Sequence, residues 1–585
     1  MNGPAGRGSG RLLGAIAALV VACGAPALAF ALGLVLSDDV EGYWNTTIAA
    51  GVGWRDGSPQ APLVGAGNAN QFPGATGAVT VNDDSNLNYR HGDVVSQPVT
   101  LVSEVNLSYR GQYGVFARVR GWYDYALENR GVPHGHAPNG YVPGANLDDS
   151  GFFAANQFQG FELLDAYAQG TFDIAQQRLL LRLGKQVINW GESLLYPGIN
   201  VFNPLDATWL GRAGANPIDG GFVPVNRVYA NLLTRAGFSL EAFYNLDWAR
   251  SNLPPCGTYA SFADSGFDPG CNKATTSGLP DQLVLSQGSA IPSLYAPDPS
   301  KWGQFGLAAK SFIEPIGAQV GVYYVRYNSP NPIISPILGA TSADFKIQTS
   351  YVEAVEAVAV SAATGFRNAA LSGQLTEFLG FPVQRNFPTL IQGAIDKQGP
   401  YAAAGAAPIG SVFPGYLRVN VTQLQLGGSV QFSPIRGLYD VSLTAETSFQ
   451  WAPGLPGTNQ ERLGRYGNFG TAEYNGSCQG GANVCEVAGF ATPFAWGYRV
   501  RLQAQLPQPG TGITLVPVLF FAQDVQGYST DSTMVQGRLS GGAALRAIYL
   551  RRLYAEVGGT WYRRNTAFDP LRDRGTYTLA AGVTF

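Results

Sequence analysis

The feature that most constrains the fold of this chain is an alternation of apolar and polar residues with a period of two. In the segment 438–451, apolar side chains occupy one face, and Asp440, Thr444 and Glu446 occupy the other. A soluble β-sandwich would show this pattern in one or two strands, whereas here it recurs along the whole chain. Such repetition predicts an antiparallel β-barrel whose apolar face contacts lipid and whose polar face lines the lumen.

Sixteen segments carry this pattern, and their connections alternate between short turns and long polar stretches. The segments are 43–54, 95–110, 113–127, 163–174, 178–190, 226–235, 238–249, 302–313, 317–329, 418–432, 438–451, 496–507, 513–526, 534–549, 552–563 and 576–585. Short turns at one end and long loops at the other are typical of outer-membrane barrels. We therefore predict an all-β fold, a transmembrane antiparallel β-barrel of about 16 strands, over residues 30–585.

Composition and charge agree with a barrel and exclude other classes of protein. Charged residues make up 13% of the chain, roughly half the usual share, and aromatic residues make up 12%. Beyond the N-terminus, no apolar run reaches the ~18 residues that a membrane-spanning helix needs. The formal net charge is −3, and the sequence has no basic stripe. Nucleic-acid binding is therefore not expected.

The N-terminus has the organisation of a secretion signal. A short positive region ending at Arg11 precedes the apolar stretch 12–22, and an Ala-Leu-Ala cleavage motif ends at Ala29. This order predicts a signal peptide over residues 1–29 and export to the bacterial outer membrane. An uncleaved membrane anchor and a lipid attached to Cys23 are the two alternatives.

The four cysteines beyond the signal form two close pairs in sequence, Cys256 with Cys271 and Cys478 with Cys485. Neither pair has C-x-x-C spacing or a neighbouring histidine, so metal binding is not favoured. Two local disulfides in an oxidising compartment are the better interpretation. We expect no metal and no cofactor.

Two long connections look structured and are candidates for a plug or a cap of the barrel. The first insertion spans 191–225 and is rich in Pro, Asn and Gly. The second spans 330–417 and contains a predicted helix over 343–379, whose apolar stripe includes Val352, Val355 and Val358. A surface excursion with no gating role is the alternative for both.

Charged residues on the predicted lumen face have both signs. They are Glu104, Arg118, Arg120, Asp165, Arg182, Glu241, Asp247, Asp440, Glu446, Arg499, Arg501, Arg538, Arg546 and Glu556. In an aqueous pore such residues shape a transverse field that favours polar solutes. In a closed barrel they would instead form a satisfied network of ion pairs, and the sequence leaves both interpretations open.

The end of the fifth predicted strand is a candidate anchor for a loop folded into the pore. Trp190 and Glu192 lie where the strand leads into the first insertion, and Asn203 and Pro204 follow within it. The alternative is a simple strand-end turn with a tryptophan at the membrane interface.

Enzymatic activity is not expected. The chain has three histidines, His91, His134 and His136, all in predicted loops. A Ser/His catalytic site needs a histidine near the strand ends with an orienting partner. The His134-Gly135-His136 pair also lacks a convincing third metal ligand.

Several stretches resemble a proteobacterial outer-membrane family, domain of unknown function 1302. The most specific is 182–193, followed by 203–206; the weaker stretches include 42–47 and 164–167. The resemblance implies an outer-membrane barrel without catalytic residues. It also implies, as partners, an envelope lipoprotein and an exporter of the resistance–nodulation–division type. The terminal Phe585 resembles the signal recognised by the barrel assembly machinery.

Together these features predict a channel or transporter for small hydrophobic or amphipathic molecules across the outer membrane, in contact with its lipids. The hydrophobic cargo follows from the resemblance. A general aqueous porin and a non-transporting structural or partner-binding protein are the alternatives.

Overall fold

A computed structural model describes residues 32–215, 220–275, 278–341, 344–434, 437–473 and 485–585. The predicted signal peptide, 1–29, lies outside these residues and stays a prediction. Within the described ranges, no helix has the length and apolar character needed to cross a membrane.

Eighteen strands form a closed ring in which all neighbours are antiparallel. The strands are β2 Val40–Asp56, β4 Pro98–Tyr109, β5 Tyr113–Asp124, β6 Gln159–Ile174, β7 Gln177–Gln186, β8 Val225–Leu233, β9 Phe238–Asn245, β12 Phe305–Ile313, β13 Ala318–Tyr327, β16 Val355–Phe366, β17 Ala369–Gln384, β18 Tyr416–Phe432, β19 Tyr439–Trp451, β20 Phe494–Gln508, β21 Ile513–Gln526, β22 Leu539–Tyr549, β23 Leu553–Tyr562 and β24 Gly575–Thr584. Strand β24 pairs with β2 from Thr47↔Thr584 to Asp56↔Gly575, which closes the ring. The antiparallel β-barrel fold is confirmed.

The prediction of about 16 strands missed β16 and β17, and the predicted helix over 343–379 was wrong. The segment 330–417 is therefore not one insertion, because it contributes two strands to the wall. The reason lies in β16, where Val355 and Ala357 pack inward with no exposed surface, while Val358 faces outward at 44% exposure. Since both faces are apolar, the alternation disappears, and valines at helical spacing resemble a helix stripe.

The remaining elements are not strands of the ring. The other strands are β1 Leu32–Ser37, β3 Val94–Ser96, β10 Lys273–Ala274, β11 Ile291–Tyr295, β14 Pro332–Ile337 and β15 Lys346–Tyr351. The α-helices are α1 Asp84–Asn88, α2 Tyr125–Asn129, α3 Ala207–Leu210, α4 Asp281–Ser286 and α5 Phe387–Asp396. Single 3-10 turns or short 3-10 segments occur at Ala61–Leu63, Ala66–Asn68, Ala137–Asn139, Ala154–Asn156, Gly198–Phe202, Glu314–Ile316, Gly399–Ala406 and Gly467–Phe469.

The outer wall has the pattern of a membrane-spanning barrel. Exposed aliphatic side chains such as Leu307, Leu426 and Leu519 cover its middle. Exposed aromatic rings form one band near the short turns and a second band near the long loops. The first band includes Tyr109, Tyr113, Phe366 and Tyr549, and the second includes Tyr123, Phe161, Trp451 and Trp561.

Long connections pack together at one end of the barrel, which we call the loop end. The predicted Cys256–Cys271 disulfide is confirmed there, with an S–S distance of 2.09 Å. Its sulfurs lie in a buried apolar cluster with Val132, Phe152 and Phe158. Cys478 lies outside the described residues, so its pairing with Cys485 stays a prediction.

Candidate functional site

The connection between β7 and β8, residues 187–224, enters the barrel, and we call it the lumen loop. Its described parts contact inward-facing residues in β5, β9, β17, β19 and β20 and the backbone of β2. Most of these contacts fall at mid-strand, so the loop lies inside the barrel and does not simply cover its mouth. It therefore narrows the lumen.

Near its start, the lumen loop is fixed by Trp190, which is 1% exposed. The indole Nε1 donates a hydrogen bond of 2.7 Å to Glu241, and its ring centroid lies 5.0 Å from that of Phe243. The same carboxylate accepts a hydrogen bond from the Tyr229 hydroxyl and forms an ion pair with Lys310 at 2.9 Å. These partners compensate the charge of Glu241, which would otherwise be costly to bury.

On the wall opposite β7, the carboxylate of Glu446 in β19 binds residues 193–196, which we call the tip of the lumen loop. Its oxygens accept hydrogen bonds from Ser193 Oγ at 3.1 Å and from the backbone N–H groups of Leu194, Leu195 and Tyr196 at 2.9, 2.5 and 2.8 Å. Glu446 is 2% exposed. Hydrogen bonds to a charged acceptor each contribute about 1.5–3 kcal/mol, so this single side chain fixes the position of the tip.

Neighbouring strands reinforce the attachment of the tip. Arg499 donates a hydrogen bond of 2.6 Å to the carbonyl of Leu195, and its guanidinium lies 3.9 Å from the ring centroid of Tyr196. Gln374 of β17 accepts a hydrogen bond of 3.0 Å from the N–H of Glu192. The tip is therefore bound by three strands of the wall opposite β7.

A second part of the lumen loop is attached to β5. Arg120 is fully buried and forms ion pairs with Asp206 of the loop and, at 2.9 Å, with Glu162 of β6. Asp206 also caps α3 by accepting a hydrogen bond from the N–H of Trp209, whose ring lies 4.7 Å from the Arg120 guanidinium carbon. The same carboxylate thus shapes the loop and ties it to the wall.

The lumen loop then passes very close to β2 and β24. A Cβ atom at Gly51 would lie 2.1 Å from the carbonyl oxygen of Ala213, and one at Gly214 would lie 2.8 Å from Ala580 Cβ. Both distances are shorter than real Cβ contacts, so only glycine permits this approach.

Most of the other residues assigned to the lumen from sequence form ion pairs. Arg118 bridges Glu104 at 2.9 Å and Asp165 at 3.3 Å. Arg546 pairs with Glu556 at 2.7 Å, directly across two neighbouring strands. These pairs stiffen the inner wall.

Four of the residues that were assigned to the lumen from sequence depart from this pattern. They either lie away from the middle of the inner wall or contact groups other than a charged residue of a neighbouring strand. Arg538 is nearly buried at the loop end and pairs with Asp524 and Asp569. Asp247 follows the end of β9 and pairs with Lys301. Asp440 is exposed next to the turn between β18 and β19. Arg182 stacks on the rings of Tyr167 and Tyr229.

Two arginines of β20 stand out by their lack of acidic partners. In the part of the chain that the structure describes, no carboxylate lies within 4.0 Å of Arg499 or Arg501. Arg501 is exposed and donates a hydrogen bond to Gln503. Leu194, at the tip that Arg499 holds, is 42% exposed. Arg499 thus lies at the tip next to Leu194 and directly across from Glu446, whereas Arg501 lies across from Thr444.

The two downstream anchor candidates act within the lumen loop itself. Asn203 Nδ2 donates a hydrogen bond of 2.7 Å to the carbonyl of Ile188, and the carbonyl of Pro204 accepts one from Val223. Glu192 bonds to Gln374 through its backbone and not through its carboxylate. The contacts of Asn203 and Pro204 fold the loop, whereas Trp190, the Glu192 backbone and Glu446 attach it to the wall.

Sequence reasoning missed Gln374, Lys310 and Gly51 as parts of this site. Gln374 falls in the segment assigned to a helix, which hid its place on an inner face. Lys310 is the one charged residue of the predicted strand 302–313, and a polar lumen face would have placed it inward. The role of Gly51 depends on a close approach of distant backbone, which no local pattern records.

Comparison with solved structures gives distant likenesses to outer-membrane proteins. The outer membrane channel DcaP of Acinetobacter baumannii is 9% identical with a TM-score of 0.36, covering 94% of this chain and 99% of that one. OpdK of Pseudomonas aeruginosa, solved with vanillate, is 8% identical with a TM-score of 0.38, covering 93% and 98%. OccAB1 of A. baumannii is 10% identical with a TM-score of 0.40, covering 95% and 98%.

Likenesses at this level assign neither a substrate nor an activity. No curated protein matches the chain. A family model does match, over residues 12–585, and its description is "Protein of unknown function (DUF1302)".

Proposed function

The chain belongs to the family of unknown function DUF1302, and from this premise we propose that it is an outer-membrane channel for small hydrophobic or amphipathic molecules. The observation that carries the proposal is the lumen loop. It crosses the barrel interior from β7 to Glu446 on β19 and narrows the passage that a solute would take. A purely structural barrel has no need for a loop attached at mid-strand to the opposite wall.

The character of the constriction favours an amphipathic cargo. Leu194 and Leu210 of the lumen loop are 42% and 40% exposed, which offers apolar contacts to a solute. Arg501, which is exposed and lies across from Thr444, offers positive charge on the inner face, and Arg499 lies two residues away across from Glu446. A solute with an apolar body and an anionic group would match both features.

Planar-bilayer recording of the purified, folded protein tests the channel. Under the proposal, the intact protein shows discrete openings that favour anions over cations, and a small amphipathic carboxylate reduces the current by entering the constriction. Large steady openings without block would indicate a general aqueous porin. Silence, with folding verified by heat-modifiable gel mobility, would contradict any channel and leave the structural role.

Neutralising Arg499 and Arg501 should remove the preference for anions. For Arg499→Gln with Arg501→Gln, we expect the anion-to-cation permeability ratio to fall by about threefold or more, because lumen charge sets ion selectivity. The reversal potential in a salt gradient gives this ratio.

The matched control for this experiment is Arg367→Gln with Arg551→Gln. It also removes two positive charges, from the short turns between β16 and β17 and between β22 and β23, outside the lumen. An equal fall in the control, or an unchanged ratio in Arg499→Gln with Arg501→Gln, would show that these two arginines of β20 do not face the permeating ion.

A further inference from the structure

A cluster of acidic side chains is buried among the long loops at the loop end of the barrel. Asp83 and Asp84 come from the β2–β3 connection, His134 from the β5–β6 connection, and Asp264 and Asp281 from the β9–β12 connection. Each of these five residues is at most 1% exposed. Three connections that are far apart in sequence thus bring four carboxyl groups and one imidazole into one buried place.

The donor atoms of this cluster lie at distances that suit a shared ligand. His134 Nε2 is 3.2 Å from an oxygen of Asp84 and 3.3 Å from one of Asp281, and all three donor atoms lie within 4.8 Å of one another. One carboxylate oxygen each from Asp83, Asp84 and Asp264 forms a second such group. Asp84 belongs to both groups and so connects them into one cluster.

Part of each carboxyl group is already used for structure. Asp83 accepts hydrogen bonds from the N–H of Gly65 and the side chain of Asn68. One oxygen of Asp264 accepts the N–H groups of Asp83 and Asp84. These bonds fix the direction of the remaining oxygens.

The remaining oxygens point to a missing partner. Asp264 Oδ1 and Asp281 Oδ1 are buried and have no hydrogen-bond partner within the described ranges, and Asp84 Oδ2 is buried with the Tyr141 hydroxyl as its nearest polar neighbour. In the same ranges, no lysine or arginine lies within 4.0 Å of these carboxylates, and His134 is their single basic neighbour. Leaving several buried polar atoms unsatisfied is costly. Burial accordingly raises the pKa of Asp83, Asp84 and Asp264 well above its ordinary range.

We propose that this cluster binds one divalent cation of the hard, oxygen-preferring class, Ca²⁺. Carboxylate oxygens of Asp83, Asp84 and Asp264, which lie within 4.8 Å of one another, are the ligands. Ca²⁺ prefers oxygen donors, and its flexible coordination accepts irregular sites. His134 then acts as a positioning residue, donating from Nε2 to Asp84 and to the neighbouring Asp281. A bound cation offsets the buried negative charge and joins three connections at the loop end.

Calcium binding by the whole folded protein tests this proposal. After treatment with a chelator and dialysis, isothermal titration with CaCl₂ in detergent should show about one Ca²⁺ per chain. Asp264→Asn and Asp281→Asn should each weaken binding by about tenfold or more. Asp298→Asn is the matched control, because it removes the same charge from an exposed side chain of the same connection that pairs with Arg250; its affinity should equal that of the native protein.

A second measurement uses the native sequence alone, so that it does not depend on the folding of variants. Limited proteolysis of chelator-treated protein should cut the β9–β12 connection faster than proteolysis of the same protein with Ca²⁺ restored. Three results would overturn the proposal: no Ca²⁺ uptake, uptake unchanged in both asparagine variants, or saturation by Zn²⁺ in place of Ca²⁺. The proposal would also be overturned if low pH protected the β9–β12 connection from proteolysis without any Ca²⁺ uptake. Protons shared between the carboxyl groups, and not a cation, would then stabilise the cluster.

Discussion

Replacing Glu446 by alanine is expected to raise the single-channel conductance about twofold or more, because this residue holds the tip of the lumen loop across the pore. Its carboxylate accepts hydrogen bonds from Ser193, Leu194, Leu195 and Tyr196. Losing even two such bonds at about 1.5 kcal/mol each shifts the equilibrium of the tip by about 100-fold toward the detached state. Planar-bilayer recording measures the change directly.

The matched control is Glu556→Ala. Glu556 also faces the barrel interior, yet its ion pair is with Arg546 of the neighbouring strand. This change should alter ion selectivity while leaving the size of the openings close to that of the native protein. Equal conductance changes in the two variants would mean that lumen charge, and not the position of the tip, sets the current. An unchanged current in Glu446→Ala would mean that the tip does not limit the passage.

Most of the barrel could be predicted from sequence because the outer face of each strand contacts lipid and the inner face contacts the lumen. Where the lumen is polar, as along Glu446 and Ser448 of β19, apolar and polar residues alternate and the strand is evident. Where the lumen is filled by apolar packing, as at Ala357 and Ala359 of β16, the alternation vanishes. The missed strand β16 is therefore a consequence of how the lumen is filled, whereas β17, whose inner face is polar at Gln374 and Thr376, was missed because the predicted helix extended over it.

The candidate site was harder to predict, since its contacts join residues far apart in the chain. Alternation indicates which residues share a face, but not which partner each one has. Glu446 meets the tip about 250 residues away, and nothing near it in sequence records that contact. The buried acidic cluster shows the same limit, because Asp84 and Asp264 come from different connections and form no local motif.

A substitution at Gly51 tests how closely the lumen loop packs against β2. The quantity measured here is the free energy of unfolding and not the channel current. Gly51→Ala should lower the free energy of unfolding by about 1–3 kcal/mol, the usual cost of overpacking. The added Cβ would lie 2.1 Å from the carbonyl oxygen of Ala213, so backbone has to move. Urea unfolding in lipid vesicles, followed by tryptophan fluorescence, measures the difference. Gly53→Ala is the matched control, because its added Cβ would meet its nearest neighbour, Val95, at an ordinary 3.5 Å.

Combining Gly51→Ala with Glu446→Ala shows whether the lumen loop behaves as one rigid body. The two residues hold different parts of the loop, at Ala213 and at the 193–196 tip. If each part is held independently, the losses of unfolding free energy add within about 0.5 kcal/mol. If the loop moves as a unit, detaching the tip lets it retreat from the new methyl group, and the double variant loses less than the sum. A destabilisation equal in Gly51→Ala and Gly53→Ala would refute the close contact itself.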